Sequence, residues 1–301
     1  MEVLLSSPRG FCAGVDRAIE VVEQCLKRFG EPVYVKHEIV HNPYVVSDLE
    51  KKGAITVEEV EKIPPGSVVV FSAHGSPPED FQKAEALGLK VIDATCPLVT
   101  KVHNEARKYA KEGRKVVLVG HRGHQEVRGT MGQTPMTLID EREGLSLSDW
   151  DNDTPVAVLT QTTLSVDDTS DVVDEIRRTF PDAITRADIC YATTNRQEAV
   201  KELAGKVDMV LVIGAQNSSN CNRLREVAEA HGVPAYLING PEDLDKEWLA
   251  DISRVGITSG ASTPEVLVDE VIRALQPDKV TSMTGIEENV TFVLPKELRG
   301  N

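Results

Sequence analysis

The chain has 301 residues and a formal net charge of −15, from 33 Lys and Arg against 48 Asp and Glu. Because binders of nucleic acid and of membrane surfaces gain affinity from clustered Lys and Arg, this acidity argues against a general binder of either kind but does not exclude a small anionic substrate. Hydrophobic residues make up 41% and charged residues 27%, an ordinary globular composition that excludes disordered and fibrous proteins.

Short apolar strands alternate with amphipathic helices along the chain. The strand-like N-terminus has no leader features and no apolar run approaches the roughly 18 residues that cross a bilayer, so a cytoplasmic protein is expected. Later strands are predicted at Val33–Lys36, Val68–Ser72, Val91–Asp93, Lys115–Val119, Thr137–Ile139, Val156–Thr160, Val207–Ile213, Ala235–Ile238 and Arg254–Thr258. Helices are predicted at Asp16–Phe29, Asn42–Lys52, Pro78–Leu87, Thr100–Glu112, Asp168–Thr179, Asn195–Leu203, Cys221–His231 and Pro264–Ala274. This alternation predicts an α/β fold with mainly parallel sheets, followed by a tail that contains one strand, Val290–Leu294.

A weak internal repeat organises these elements. Three times a polar or Gly-containing loop delivers a cysteine directly into a helix-forming segment, at Cys12, Cys96 and Cys190, which are 84 and then 94 residues apart. This spacing suits one βα module per copy. The sequence therefore predicts three similar modules whose loops converge on one point. Their ranges are 1–97, 98–189 and 190–275, with a tail at 276–301, and the strand within 1–13 is also able to join the third module.

The three repeated cysteines are candidate metal ligands. A thiol at a helix N-terminus is favoured as the thiolate, and three converging thiolates suit iron or an iron–sulfur cluster. A lone cysteine is more often a small buried hydrophobe, but recurrence at one position in three copies reverses that preference. Cys25 lies on the apolar face of its predicted helix and is assigned to the core, while Cys221 stays unassigned. The five cysteines include no C-x-x-C pair, so zinc ribbons and thioredoxin-like sites find no support.

Polar loops follow several predicted strands and favour anion binding. His74 and His124 occupy equivalent loops after strands of successive modules, and His41 lies in a V-H-N-P turn. Loops rich in hydroxyls and amides follow three more strands, at Thr160–Ser165, Asn217–Asn220 and Ser259–Thr263. Each loop alone is more typical of a helix cap, but at the carboxyl ends of strands they together predict a diphosphate pocket. Glu126, two residues after His124, is either a solvated acid or, where desolvated, a proton donor.

Nine ordered motifs resemble the 4-hydroxy-3-methylbut-2-enyl diphosphate reductases, the terminal enzymes of the methylerythritol phosphate route to isoprenoids. They read R-G-F-C-A-G-V-D-R-A, E-I-V-H-N, S-A-H-G, D-A-T-C-P-L-V, H-x-E-V-x-G-T-M-G-Q, T-Q-T-T-L-S, I-C-Y-A-T-T-N-R-Q-E-A, N-S-S-N and G-A-S-T-P. The tail is similar as well, so the resemblance covers nearly the whole chain. Two residues depart from the family pattern, because Gln125 stands where proline is expected and Cys221 where serine is expected.

The resemblance implies a monomer of three α/β modules, arranged pseudo-three-fold around a central four-iron four-sulfur (4Fe-4S) cluster with an open fourth iron. The implied cluster ligands are Cys12, Cys96 and Cys190, and the implied proton donor is Glu126. The implied substrate-binding residues, mainly for the diphosphate, are His41, His74, His124, Thr162, Ser218, Ser219, Asn220 and Ser262.

The reaction that the resemblance implies converts (E)-4-hydroxy-3-methylbut-2-enyl diphosphate to isopentenyl diphosphate and dimethylallyl diphosphate with two external electrons and protons. Ferredoxin or flavodoxin supplies the electrons in this family. Because these donors are acidic, a local basic patch is required on this acidic chain, and Arg9, Arg17 and Lys101 are candidates for it.

Two other functions stay open. The chain is alternatively a three-thiolate iron–sulfur or metal sensor that binds an anionic ligand without converting it. A third interpretation is an α/β protein that binds a phosphorylated sugar and keeps its cysteines in the core. Nucleotide-dependent chemistry has no local support, because G-x-x-x-x-G-K-[ST] and G-x-G-x-x-G motifs are missing. Turnover that depends on Glu126 would distinguish the enzyme from the sensor. Bound iron would distinguish the enzyme and the sensor from the sugar-binding protein.

Overall fold

A computed structural model describes residues 1–140, 142–143, 150–186 and 188–299, and strands and helices alternate along them. The strands are β1 (Glu2–Leu5), β2 (Val33–Lys36), β3 (Ala54–Val57), β4 (Val68–Phe71), β5 (Lys90–Asp93), β6 (Lys115–Val119), β7 (Met136–Ile139), β8 (Val156–Thr160), β9 (Ile184–Thr185), β10 (Met209–Ile213), β11 (Ala235–Ile238), β12 (Arg254–Ser259) and β13 (Lys279–Ser282). The α-helices are α1 (Ala13–Phe29), α2 (Pro43–Lys51), α3 (Pro78–Ala86), α4 (Pro97–Lys111), α5 (Gln125–Met131), α6 (Val166–Thr179), α7 (Tyr191–Ala204), α8 (Ser219–Ala230) and α9 (Glu265–Leu275).

The chain divides into two compact units. The first unit consists of Met1–Val15, His41–Val45 and Cys190–Thr291. The second unit consists of Asp16–Val40, Val46–Ile189 and Phe292–Asn301.

The first unit contains one parallel sheet of five strands in the order β11-β10-β12-β1-β13. Its inner strand β10 is apolar and buried throughout, as expected for a parallel strand that is covered on both faces. Leu211 packs with Val268 of α9, while the neighbouring residue Val212 packs with Leu203 of α7 and Leu224 of α8. Successive side chains of β10 thus point to opposite faces of the sheet, and helices cover both faces.

The second unit contains two parallel sheets of four strands, in the orders β3-β2-β4-β5 and β7-β6-β8-β9. In the latter sheet, Leu118 packs with Tyr109 of α4, and Val117 packs with Ile176 of α6. Polar loops leave the carboxyl ends of β4, β6 and β8 and carry His74, His124 and Thr162. These ends are where open α/β sheets bind their ligands.

The predicted fold class is confirmed, because the structure has three parallel sheets built from βα units. The boundaries of the three predicted modules stay a prediction. The predicted strand Val290–Leu294 is wrong: in this segment the carbonyl groups of Val293 and Leu294 accept hydrogen bonds from arginine side chains instead of a neighbouring strand. The tail contributes β13, which pairs with β1. Within the described residues, no helix is both long enough and apolar enough to cross a membrane.

Candidate active site

Glu126 is a buried acid in the first turn of α5, with 3% of its surface exposed. Thr162, in the loop after β8, contacts both carboxyl oxygens: its backbone N–H donates to Oε1 at 2.6 Å, and its hydroxyl lies 3.0 Å from Oε2. Burial raises the pKa of Glu126 to about 7; the Thr162 hydrogen bonds oppose this shift, and the charge of Asp188 adds to it. A carboxyl group with this pKa holds its proton near neutral pH and can still release it to a leaving group.

His124 directly precedes this turn and caps α5. Its Nδ1 accepts a hydrogen bond from the backbone N–H of Glu126 at 3.2 Å. A neutral imidazole that accepts at Nδ1 carries its proton on Nε2, so the other ring nitrogen is a donor. The ring of His74 lies edge-on to that of His124, with 6.1 Å between centroids. Gln125, at the position where proline is expected, starts α5 as regular helix and leaves the histidine cap intact.

Two glycines let the His74 loop and α5 lie close together in the second unit. A Cβ atom on Gly129 of α5 would lie 2.8 Å from the carbonyl oxygen of Gly75. Gly75 has a φ of +82°, and a Cβ atom there would lie 2.7 Å from Cε1 of the buried His103. Neither position accepts a side chain without displacing the backbone or this ring. The close backbone contact therefore fixes α5 against the loop that carries His74.

The two central threonines of the T-Q-T-T-L-S loop have different contacts. Thr162 contacts the acid, whereas the hydroxyl of Thr163 accepts a hydrogen bond from the side-chain amide of Gln161 at 2.8 Å. The geometry therefore favours Thr162 as the partner of Glu126.

The N-S-S-N loop of the first unit leads into α8. Ser218 caps this helix, and its Oγ accepts a hydrogen bond from the backbone N–H of Cys221 at 3.4 Å. Asn220 is 4% exposed, and neither polar atom of its amide has a hydrogen-bond partner among the described residues. A buried polar group without a partner costs about 1–3 kcal/mol of stability, which a ligand that pairs with it would recover. This amide and the N-terminal N–H groups of α8, which begins at Ser219, can together bind an anion.

Another loop of the first unit brings Ser262 to His41. The hydroxyl of Ser262 donates to the backbone carbonyl of His41 at 3.0 Å. Directly after His41, the Oδ1 atom of Asn42 accepts hydrogen bonds from the first N–H groups of α2 and fixes the start of that helix. Because its proton is engaged, the Ser262 hydroxyl must turn away from this carbonyl to donate to a ligand.

Cys221 joins the N-S-S-N loop to the loop after β12. Its side chain is fully buried, and Cβ atoms on Gly214 and Gly260 would lie 2.3 and 2.2 Å from its sulfur. The sulfur therefore fills a space bounded by the ends of two neighbouring strands. Burial raises the pKa of the Cys221 thiol, so it stays protonated and is a poor metal ligand. Cys221 is thus a packing residue that fixes both loops.

We expect Cys221→Ser to bind inorganic diphosphate like the parent protein and Cys221→Val to bind it about tenfold more weakly. Serine is slightly smaller and keeps a polar atom, whereas the second methyl group of valine would push against the two glycines. Isothermal titration with inorganic diphosphate measures the affinity. Equal affinity of a folded Cys221→Val protein would show that this packing does not set the loop geometry.

All five cysteines lie in the described residues, and none forms a disulfide. Cys25 is fully buried, which confirms its assignment to the core. Cys12, Cys96 and Cys190 are partly exposed, with the first and third in the first unit and Cys96 in the second unit. Reactive thiols are typically partly exposed, whereas structural buried thiols are inert.

Each partly exposed cysteine directly precedes a helix. Cys12 lies before α1, and Cys96 and Cys190 are the N-cap residues of α4 and α7. The backbone N–H and the hydroxyl of Thr193 lie 3.4 and 3.2 Å from Sγ of Cys190, where such donors stabilise a thiolate. For Cys12 the expected lowering of the pKa is wrong, because burial raises it and outweighs the backbone N–H bonds to its sulfur. Metal binding would favour the thiolate at this position.

Arg17 supports the loop before Cys96, a role that its neighbours in sequence do not indicate. Its Nη1 donates to the carbonyl oxygens of Ala94 and Thr95, both at 3.1 Å, and its Nε donates to Val293 of the tail at 2.8 Å. These partners are distant in sequence, so no local pattern predicts them.

Arg196 supports the loop before Cys12, and it too received no predicted role. Its Nη2 donates to the carbonyl oxygen of Gly10 at 2.8 Å, and its side chain is fully buried. A signal was present in the sequence, because this arginine falls among apolar residues at helical spacing. Those residues are Ala192, Ala199, Val200 and Leu203.

Comparisons with known proteins agree over nearly the whole chain. A sequence model of the family described as LytB protein matches residues 3–276. Curated relatives from Bradyrhizobium diazoefficiens and Pseudomonas putida strain GB-1 are 54% and 53% identical over 99% of this chain, and over 99% and 98% of their own lengths. They are named 4-hydroxy-3-methylbut-2-enyl diphosphate reductase 2 and 4-hydroxy-3-methylbut-2-enyl diphosphate reductase.

A solved structure agrees with these relatives. The E-1-hydroxy-2-methyl-but-2-enyl-4-diphosphate reductase of Plasmodium falciparum has a TM-score of 0.94 and 39% sequence identity, and the match covers 99% of this chain and 96% of that chain. The chain belongs to the LytB protein family.

Proposed function

We propose that this chain is a 4-hydroxy-3-methylbut-2-enyl diphosphate reductase, as its relatives are named. In the reaction two electrons and two protons are consumed, the C4–O bond breaks and the oxygen leaves as water. A new C–H bond at C2 gives isopentenyl diphosphate, and one at C4 gives dimethylallyl diphosphate. The observation that carries this proposal is the buried acid Glu126, held by Thr162, whose pKa burial raises to about 7.

Membership of the family implies an iron–sulfur cofactor. We propose that Cys12, Cys96 and Cys190 hold it as one four-iron four-sulfur cluster with an open fourth iron. Partly exposed thiols at helix N-termini fit a thiolate-bound cluster, whereas the fully buried Cys25 and Cys221 do not. When bound, such a cluster supplies electrons one at a time and a Lewis-acidic iron.

Glu126 would provide the proton that leaves with the hydroxyl. Its Oε2 lies 3.0 Å from the Thr162 hydroxyl, so this hydroxyl can pass a proton between the acid and the substrate. The diphosphate of the substrate is an alternative relay. The second proton goes to the allyl carbon.

The diphosphate would be bound by hydroxyl, amide and imidazole groups rather than by many cations. The proposed residues are His41, His74, His124, Thr162, Ser218, Ser219, Asn220 and Ser262. The amide of Asn220 supports this proposal because it is buried and lacks a partner among the described residues. Donors of this kind bind an anion without clustered Lys and Arg.

Anaerobic purification followed by iron analysis and turnover with a chemical reductant tests the proposed function. We expect a coloured, iron-containing protein that converts the hydroxylated diphosphate to both isomeric products. A protein that binds iron and substrate but forms no product would support the sensor function instead. A colourless, iron-free protein that binds the substrate normally would contradict the cluster.

We propose further that the monomeric chain receives its electrons from an acidic ferredoxin or flavodoxin. Arg17, Lys101 and Lys108 line a cavity of about 460 Å³ in the second unit, together with Asp93 and Glu105. Thr95 and Pro97, on either side of Cys96, line the same cavity, so a donor seated there would be close to a proposed cluster ligand. Arg9 lies outside this cavity lining and is paired with Glu265, and Lys101 is likewise paired, with Asp188 at 3.2 Å.

We expect Lys108→Glu to raise the KM for a reduced ferredoxin about three- to tenfold at low ionic strength, because reversing a charge weakens docking of an acidic partner. Turnover with a small chemical reductant should not change. Lys62→Glu makes the same change at an exposed lysine outside the cavity lining and is the matched control. Equal KM values for the two variants would place the donor elsewhere.

A further inference from the structure

Arg196 is a fully buried arginine in α7. Its Nε and Nη2 donate to the carbonyl oxygen of Gly10 at 3.2 and 2.8 Å, and Nη2 also lies 3.4 Å from the carbonyl oxygen of Phe11. These two carbonyl groups directly precede Cys12, and α7 itself begins directly after Cys190. One guanidinium group therefore connects the helix after one proposed cluster ligand with the loop before another.

Glu288 of the tail is the counter-charge of this arginine. Its carboxylate accepts hydrogen bonds from Nη1 at 2.9 Å and from Nη2 at 3.2 Å, and a third from the side-chain amide of Asn195 at 3.0 Å. The side chain of Glu288 is 13% exposed. A buried ion pair of this kind has little net effect on stability when intact, but removal of one partner leaves the other charge uncompensated.

The position of this pair beside Cys12 has two consequences for a bound cluster. The hydrogen bonds to Gly10 and Phe11 fix the loop that presents the thiol. A charge near an iron–sulfur cluster also changes its reduction potential, since a nearby cation stabilises the more negative, reduced state. With Glu288 ionised the guanidinium charge is largely balanced, and without it the cation would act alone.

We propose that Glu288 is a positioning residue for the iron–sulfur cofactor, which holds Arg196 against the Cys12 loop and balances its charge; this inference rests on the proposed function. In this proposal neither residue touches the reacting atoms. Their effect is on how firmly the cofactor is held and on its potential.

The test compares Glu288→Gln with Glu287→Gln, which removes the same charge from the exposed neighbouring position. Anaerobically prepared proteins are assayed for iron, for the rate of iron loss to a chelator and for the midpoint potential in a spectroscopic redox titration. We expect Glu288→Gln alone to lose iron several-fold faster and to have a more positive potential. Equal values in the two variants would overturn the proposal, and a parent protein that contains no iron would instead overturn the proposed function.

Aspartate at position 288 distinguishes the effect of side-chain length from the effect of charge. Glu288→Asp keeps the charge but shortens the side chain, so we expect faster loss of iron with a smaller shift of potential than in Glu288→Gln. If Glu288→Gln does not fold, the comparison of Glu288→Asp with Glu287→Asp decides the question. Faster loss of iron from Glu288→Asp then supports the proposal, and equal rates contradict it.

Discussion

Replacement of Glu126 by glutamine is expected to lower kcat about 10²–10⁴-fold and to leave the KM for the diphosphate substrate nearly unchanged. The amide has the shape of the carboxyl group and can still accept the N–H of Thr162, but it cannot release a proton at neutral pH. Steady-state turnover under anaerobic conditions, with a chemical reductant that bypasses the protein electron donor, measures the effect.

The matched control for this change is Glu85→Gln, which replaces an exposed acid of α3 in the same unit. It should keep full turnover. Both variants should carry as much iron as the parent, so that a fall in kcat is assigned to the proton and not to the cofactor. If the Glu126→Gln protein contained as much iron as the parent and kept full turnover, Glu126 would not be the proton donor.

The pH dependence of kcat should follow the same group. Burial holds the pKa of folded Glu126 at about 7, above its ordinary value of 4.5, so the acid is protonated below neutral pH and loses its proton as the pH rises. Turnover should therefore fall as the pH rises through about 7. Thr162→Val removes a hydrogen bond that lowers this pKa, so the fall should move to higher pH. A profile that is flat through neutral pH in the parent would contradict the assignment.

Cys96→Ala is expected to abolish cofactor binding and turnover. Loss of Cys96 as a proposed direct ligand should exceed the roughly 10–100-fold loss of metal affinity that removal of an outer-shell partner causes. Iron and sulfide per chain, together with the visible absorbance of the anaerobic protein, measure this effect. The folded state should survive, because Cys96 is partly exposed and supports no apolar cluster in the described residues.

Cys25→Ala provides the control for that experiment. This cysteine is fully buried in α1, so its replacement should cost about 1 kcal/mol of stability but no iron. The opposite pattern, with iron lost from Cys25→Ala and kept by Cys96→Ala, would exchange the roles of the two thiols.

The sequence predicted the strands that are buried on both faces better than the elements that depend on tertiary contacts. Val156–Thr160 has the same bounds in prediction and structure because every residue in it is buried. The helix α5 was not predicted, since seven residues that include Gly129 carry little helical signal of their own. The edge strand β13 was also missed, because its side chains are exposed and only its backbone pairing to β1 defines it.

The residue types of the candidate site were predictable from local motifs, but their supports were not. The loops after parallel strands indicated His74, His124 and Thr162, because ligands of α/β proteins bind at the carboxyl ends of such strands. The pairing of Arg196 with Glu288 spans 92 residues, and nothing in either segment specifies the other. Burial of Glu126, which sets its pKa, likewise results from packing and not from its neighbours in sequence.

Because Gly129 and Gly75 are in close backbone contact, the His74 loop and α5 must move together. A Cβ atom on Gly129 would lie 2.8 Å from the carbonyl oxygen of Gly75. The two backbones are therefore too close for one segment to slide past the other. A ligand that displaces the His74 ring would therefore also displace the first turn of α5, which carries Glu126. With the proposed roles of His74 and Glu126, binding of the diphosphate and alignment of the proton donor would be coupled, and alanine at either glycine would weaken this coupling.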